Sequence, residues 1–157
     1  MKRAETLRIG LACTPVNSKT VRSITDVTIL LIQAILQATS SKTSDENSLR
    51  AFIFRMIRCS SLTLSHLLCA SIYLLRLNQT RPTVSIMHNG KQLFLSALIL
   101  SHKFLDDTTK STRFWSRCSG LPIPEIIQIE WEMFRLLEFN LNVSSIAFEK
   151  WAALMTA

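Results

Sequence analysis

Two runs of almost entirely apolar residues, 64–77 and 90–105, constrain most strongly what this chain can fold into. Both runs have the length of a helix, and because nearly all of their faces are apolar, both helices should be buried at the centre of a domain. The 157 residues include only three Gly and four Pro. That is too few for the frequent turns of a sheet protein, so we expect an all-α fold.

Further apolar segments with helical spacing are expected to form helices around these two: residues 27–38, about 49–58, 124–137 and 146–155. In the first segment, Val27 and Leu30 begin the apolar repeat that should face the core. Residues 106–121 are expected to form a long connection. It contains Phe114 and Trp115, which must pack against the core because two adjacent aromatic side chains in water are costly.

Residues 1–24 carry five basic residues and one acidic residue and show no apolar period. We therefore expect a basic, disordered tail, followed by a domain at 25–157. The net charge of +7 permits an acidic partner or nuclear import. No signal peptide or membrane span is expected, since the apolar run at 27–38 is interrupted by Gln33 and is too short to cross a bilayer.

The four cysteines lie at positions 13, 59, 69 and 118, and none has the spacing of a zinc site. We expect reduced, buried thiols, and hence an intracellular protein of the nucleus or cytoplasm. Three separate glycines cannot form a phosphate-binding loop, and the three histidines are scattered. The sequence therefore favours a protein without catalytic residues, metal, cofactor or small-molecule substrate.

A series of short motifs between about residues 48 and 143 resembles a cyclin box. The motifs are SLR at 48–50, IYLLRL at 72–77, NGKQL at 89–93, HKFLDD at 102–107, FW at 114–115, SGL at 119–121, PEI at 124–126 and LLEFNL at 136–141. They are most similar to the PHO-type cyclins of fungi and protists and to the related P- and U-type cyclins of plants. The resemblance implies a single cyclin box, an orthogonal five-helix bundle, with an additional N-terminal helix.

The resemblance also implies a docking site for a protein kinase. In cyclins, a lysine that ends the third helix of the box and a glutamate on the fifth contact a cyclin-dependent kinase near its C-helix. Lys103 and Glu130 occupy those positions here. The surrounding apolar docking positions match Leu100, Phe104, Phe134, Phe139 and Leu141. The lysine stem would lie along this apolar surface while both polar groups bind backbone groups of the kinase.

Two details of the sequence bear on these implications. Asp107, preceded by Asp106, either begins a solvated loop or, as the resemblance suggests, pairs with a kinase arginine that is otherwise held by a phosphorylated activation loop. Leu75 stands where many cyclins have an acidic or amide residue, so Arg50 is expected to lack its usual carboxylate partner.

The function implied is that of a regulatory subunit, not an enzyme, that binds and activates a cyclin-dependent kinase and helps set its substrate choice in cell-cycle or phosphate signalling. One alternative is a cyclin-fold nucleic-acid-binding or transcription-associated adaptor. Arg55, Arg58, Arg76 and Arg81 would permit phosphate binding, although they do not cluster with aromatic residues in the sequence. Another alternative is a cyclin-fold scaffold that has lost kinase activation.

Overall fold

The computed structural model describes residues 18–38, 45–80 and 89–156, and every regular element in these ranges is a helix. The helices are α1 (Ser18–Ala38), α2 (Glu46–Ser60), α3 (Leu64–Thr80), α4 (Gly90–Leu105), α5 (Thr112–Ser119), α6 (Ile123–Leu136) and α7 (Ser145–Thr156). The all-α prediction is therefore confirmed. Helices α2 to α6 form the predicted five-helix bundle, with α1 preceding it and α7 following it.

Helices α3 and α4 pack against each other at the centre of the domain, as their apolar character predicts. Twelve of the sixteen residues of α4 are buried. The few hydroxyls inside these helices are satisfied locally, since Ser71 Oγ donates to the Leu68 carbonyl and Ser101 Oγ to the Leu98 carbonyl, both at 2.7 Å. Burying these hydroxyls therefore leaves no orphan donor and costs little.

Helix α1 begins at Ser18, so residues 18–24 belong to the folded domain and the boundary predicted after residue 24 is wrong for them. The apolar stripe predicted on this helix is also misplaced, because Leu30 is 64% exposed. The buried side instead includes Thr25 and Thr28, whose hydroxyls donate to the carbonyls four residues earlier, each at 2.7 Å. These internal bonds let two polar residues lie in the core. Residues 1–17 lie outside the described residues.

By length and composition, residues 19–37 of α1 could cross a membrane, which differs from the expectation based on the shorter run at 27–38. The window has a mean hydropathy of 1.2, and 44% of it is buried inside the protein. Ile24 and Ile32 of this helix are completely buried in the domain core. A core helix of a soluble protein shares these properties, so they are weak evidence for a membrane span.

Arg50 of α2 has carboxylate partners, although the sequence offers none at the usual position. Its guanidinium donates to Asp26 on α1 at 2.5 Å and to Glu46 one turn earlier at 3.2 Å. The hydrogen bond to Asp26 raises the pKa of Arg50, with a second contribution from Glu46. The usual partner is absent, since position 75 is a leucine, but Arg50 is paired because Asp26 of α1 and Glu46 of α2 supply carboxylates instead.

Helix α5 lies in the stretch that was expected to be a connection. Ser111 caps its first turn by accepting a hydrogen bond from the Phe114 amide, and Gly120 ends it with a left-handed φ of 79°. Trp115 is buried and Phe114 is half-buried, so the prediction that both aromatic residues pack against the core is confirmed. The helix was missed because eight residues make too few turns to show an apolar period.

The prediction of reduced, buried cysteines is wrong for two of the four. Cys59 and Cys118 form a disulfide between the ends of α2 and α5, and Cys59 is exposed. Cys69 is a buried free thiol, as predicted. Cys13 lies outside the described residues. The pairing could not be seen in the sequence because 59 residues separate the two positions and only tertiary packing brings them together.

Candidate functional site

An open groove of about 400 Å³ lies where the end of α4 meets the outer face of α6. We call it the apolar groove, and its lining residues are Leu100, Lys103, Ile127, Glu130, Trp131, Phe134 and Leu141. The two residues from α4 are three apart, and the four from α6 follow one helical face. Each helix thus presents one face to the groove, while its other face packs in the core.

Lys103 and Glu130 form an ion pair across the groove. The Lys103 side chain is 43% exposed and that of Glu130 18%. Because both charges remain partly accessible to water, the pair contributes little to the stability of the fold, about 0–1 kcal/mol. A charged pair inside an apolar groove can instead provide directional bonds to a partner that excludes water.

Beside the apolar groove, three aromatic rings pack edge to face, and we call them the aromatic cluster. Phe134 lies 6.3 Å from Trp131 and 5.1 Å from Phe139, measured between ring centroids. Trp131 is 62% exposed and Phe139 is 55% exposed. Large aromatic side chains presented together on a surface are typical of protein-binding sites, where burying them on association is favourable.

The chain turns sharply after α6 to present this cluster. Glu138 and Phe139 have positive φ values of 56° and 58°, which are unfavourable for residues other than glycine. The turn is held by the Phe139 amide, which donates to the Phe134 carbonyl at 2.9 Å. Uncommon backbone conformations that are held in place by their surroundings are concentrated at functional sites.

Two side chains of α3 fix the segment that follows the turn. The Tyr73 hydroxyl donates to the Leu141 carbonyl at 2.8 Å, and Arg76 donates to the Asn142 carbonyl at 2.5 Å. Burial raises the pKa of Tyr73, which keeps its hydroxyl protonated and able to donate. The central helix thereby positions Leu141 at the edge of the apolar groove.

Next to the groove, Asp106 ends α4 inside a network with two histidines, which we call the histidine–aspartate network. His66 Nε2 lies 3.0 Å from Asp106 Oδ2, and His102 Nδ1 lies 2.9 Å from the same oxygen. The two imidazole rings stack with their centroids 3.8 Å apart. The network connects the end of α4 to the first turn of α3. Its aspartate lies one residue beyond the helical turn that carries Lys103.

These three residues also have the spacing of metal ligands. However, His66 Nδ1 accepts the Thr63 backbone N–H at 3.2 Å, so the ring proton belongs on Nε2, facing Asp106. A metal would need the Nε2 lone pair of His66, but that nitrogen carries the ring proton. The geometry therefore fits a closed hydrogen-bond network better than a metal site.

The network should make stability depend on pH. Burial lowers the pKa of His102 to about 4, with a further contribution from His66, while hydrogen bonding to Asp106 opposes the shift. Burial alone would raise the pKa of Asp106, but the charge of His66 and the hydrogen bonds of both rings lower it. Among the described residues, His102 Nε2 is a buried atom without a partner, so a proton bound there would lack a hydrogen-bond acceptor.

We therefore expect the free energy of unfolding to fall as the pH drops from about 6.5, the ordinary pKa of histidine, toward 4. In this range His102 binds a proton in the unfolded chain but stays neutral in the folded protein. One such difference changes the free energy of unfolding by up to about 1.4 kcal/mol per pH unit. Urea denaturation between pH 7.5 and 4.5 measures the slope. The His102→Gln variant should have a shallower slope, and an equal slope would assign the pH dependence to other groups.

The apolar groove brings together five of the eight predicted site residues: Leu100, Lys103, Glu130, Phe134 and Leu141. Phe139 lies beside it in the aromatic cluster, and Asp107 lies exposed beyond the end of α4. Phe104 does not line the groove, because it packs half-buried against the core. Asp106 and Asp107 are separated in role, since only Asp106 joins the histidine–aspartate network.

Sequence reasoning missed Ile127 and Trp131, which add the largest exposed apolar surface of the groove. Both lie on α6 within four residues of Glu130, at positions three before it and one after it. Their signal was available, because a helix whose core face is already supplied by Ile126, Ile129 and Met133 leaves these two side chains toward solvent.

Two of the four arginines that would support a nucleic-acid site bond within the fold, and Arg58 is exposed. Arg55 donates to the Ser119 carbonyl at 2.7 Å and lies over the ring of buried Phe52. Arg76 holds the segment after α6, as described above. Arg81 lies outside the described residues. Buried rings cannot stack with bases, so the structure gives this alternative no specific support.

The all-α bundle agrees with the cyclin box that the sequence motifs resemble. The Cyclin family model matches residues 9–141, and the chain belongs to the cyclin family. The match starts before the box that its motifs outline and includes α1.

Named relatives fit this assignment. The chain is 30% identical to G1/S-specific cyclin pas1 of Schizosaccharomyces pombe over 89% of its own length and 35% of the relative. It is 28% identical to PHO85 cyclin-1 of Saccharomyces cerevisiae over 83% of the chain and 50% of the relative. It is 27% identical to Cyclin-P2-1 of Oryza sativa subsp. japonica over 73% and 53%. The chain therefore spans about a third to a half of these relatives, which include the predicted PHO- and P-type cyclins.

Proposed function

We propose that this chain is a regulatory subunit that binds a cyclin-dependent kinase through the apolar groove. The observation that carries the proposal is the ion pair of Lys103 and Glu130, set among exposed apolar side chains at the junction of α4 and α6. A partly exposed pair of charges beside Trp131 offers both directional bonds and a large apolar contact.

The turn after α6 extends this surface. Phe139 and Leu141 continue the groove along the edge of the bundle, and both are held by backbone hydrogen bonds or by side chains of α3. Such preorganisation reduces the entropy that is lost on binding. The bound kinase would keep its C-helix and activation segment in the active arrangement, so that binding energy shifts the kinase population without chemistry in this chain. The protein would act in the nucleus or cytoplasm.

The proposal is tested with a purified kinase of the type that PHO85 cyclins bind. Phosphorylation of a peptide substrate is measured with kinase alone, with kinase plus this chain, and with kinase plus an unrelated helical protein. A rise in activity that saturates with added chain supports the regulatory role. Saturable binding without activation would favour the scaffold alternative, and no binding would overturn the proposal.

Asp107 should contribute to activation more than to binding. It is exposed to solvent just beyond Lys103, where a docked kinase could approach it, whereas Asp106 is half-buried and bonded to both histidines. We expect Asp107→Ala to lower the activity of a kinase with an unphosphorylated activation loop about 5- to 10-fold, the size of one exposed charge interaction of about 1 kcal/mol or slightly more.

The matched control is Glu149→Ala, which removes an exposed carboxylate from α7, outside the groove. A kinase whose activation loop is already phosphorylated should respond less to Asp107→Ala, because its arginine has another anionic partner. Equal activity of the Asp107 and Glu149 variants with the unphosphorylated kinase would show that Asp107 has no such role.

A further inference from the structure

The ends of α2 and α5 meet at a pair of cysteines that differ in their access to solvent. Cys59 and Cys118 are joined with their Cα atoms 5.9 Å apart. Cys59 is exposed, whereas Cys118 is only 5% exposed. A thiol from solution can therefore approach the bond from the Cys59 side, while the Cys118 side is covered by protein.

The chain segments that carry the two cysteines are rich in basic residues. The sequence has no Asp or Glu between residues 47 and 105 or between residues 108 and 124. Arg58 and Arg117 directly precede the two cysteines, and both are exposed. Positive charge stabilises a thiolate and attracts an anionic reaction partner, and both effects favour thiol–disulfide exchange.

Helix C-termini would normally disfavour a thiolate, and both cysteines lie in the last turn of a helix. Here two basic side chains offset that effect by binding the carbonyls at those ends. Arg55 donates to the Ser119 carbonyl, and Lys110 donates to the Ser60 carbonyl. Each carbonyl belongs to the residue that follows one of the cysteines, so each of the two helix ends holds one positive charge.

We propose that Cys59 and Cys118 form a reversible redox site that exchanges with a small anionic disulfide of the glutathione class. In the reduced protein, the Cys59 thiolate attacks one sulfur of glutathione disulfide, forms a mixed disulfide and releases one glutathione thiolate. The Cys118 thiolate then attacks the Cys59 sulfur and releases the second glutathione thiolate. Two protein thiols lose two electrons and two protons, and one glutathione disulfide becomes two molecules of reduced glutathione.

Oxidation would lock α5 onto α2. Besides the disulfide, the two ends are joined by the bonds of Arg55 and Lys110. Trp115 of α5 packs against His102 of α4, with ring centroids 5.0 Å apart, so a fixed α5 also supports the helix end that carries Lys103. The bond closes a large loop in the unfolded chain, and a disulfide of this kind should raise Tm by roughly 5–15 °C.

The test uses the full chain with Cys13→Ser, which removes the thiol outside the described residues. The protein is equilibrated at several ratios of reduced to oxidised glutathione, quenched with acid and alkylated, and its Cys59–Cys118 peptide is quantified by mass spectrometry. We expect the disulfide to form and disappear reversibly as the ratio changes, with the higher Tm in the oxidised form. Cys69→Ser serves as the matched control and should leave the titration unchanged.

Two single variants separate the roles of the sulfurs. Cys118→Ser should accumulate one glutathionyl group on Cys59, because the resolving thiol is gone, whereas Cys59→Ser should accumulate none on Cys118. Any of three results would overturn the proposal. The protein could remain a dithiol at every ratio, the disulfide of the folded protein could resist excess reduced glutathione, or glutathione could become attached to Cys118. These measurements need no kinase, so their outcome is independent of the proposed docking function.

Discussion

Reversing the charge of Glu130 is expected to abolish most of the binding to a cyclin-dependent kinase. The Glu130→Lys variant places a second ammonium beside Lys103 inside the apolar groove, where both groups would lose water when the kinase docks. Removing or reversing one partner of a buried charged pair at an interface costs several kcal/mol. We expect Kd to rise about 100-fold, equivalent to roughly 2.7 kcal/mol, as measured by calorimetry or surface-based binding with purified kinase.

Glu149→Lys provides the matched control, since it makes the same charge change at an exposed position of α7 outside the groove. Its Kd should stay within about twofold of the wild type, as expected for a screened surface charge. The melting temperature of both variants is compared first. Glu130 is partly exposed, so its loss should cost the fold about 1 kcal/mol or less.

A double variant, Lys103→Glu with Glu130→Lys, distinguishes docking from local structure. It restores an ion pair across the groove but exchanges the positions of the two charges. If the pair bonds to the kinase, the exchanged pair should remain defective. If the pair only holds α4 against α6, the double variant should recover wild-type affinity, and the docking role of these two side chains would be refuted.

The polar pair could be predicted from the sequence because each partner is placed by a strong helical period. Lys103 ends the apolar run of α4, and Glu130 interrupts the apolar pattern of α6, so their helices and faces follow from spacing alone. That both side chains belong to one docking site came from the family resemblance. Ile127 and Trp131 were missed because apolar residues on a helix are assigned to the core by default.

The features that the sequence did not reveal depend on contacts between distant segments. The Arg50–Asp26 pair joins α1 and α2 and was missed because the first helix was predicted to begin at residue 27, which left Asp26 outside it. The Cys59–Cys118 bond depends on how α5 packs against α2. Helix α5 itself is marked only by its caps, Ser111 and Gly120, which also occur in ordinary turns.

That short helix carries a side chain on which the fold should depend strongly. Trp115 is 2% exposed and packs edge to face against His102, with its neighbour Phe114 at 5.3 Å between ring centroids. Truncating a buried tryptophan leaves a large cavity and removes most of its contacts. We expect Trp115→Ala to lower the free energy of unfolding by about 3–5 kcal/mol, measured by urea denaturation at pH 7.5 under one fixed redox condition.

Phe114→Ala is the natural comparison, because Phe114 is the adjacent aromatic residue on α5 but only half-buried. Its loss should cost about 1–2 kcal/mol, within the usual range for a partly buried side chain. A Trp115→Phe variant, which keeps an apolar ring against His102, should recover a large part of the stability. Equal losses of stability for Trp115→Ala and Phe114→Ala would show that packing against the end of α4 contributes little. In that case α5 is held by the disulfide and by the basic side chains that bind the two helix ends.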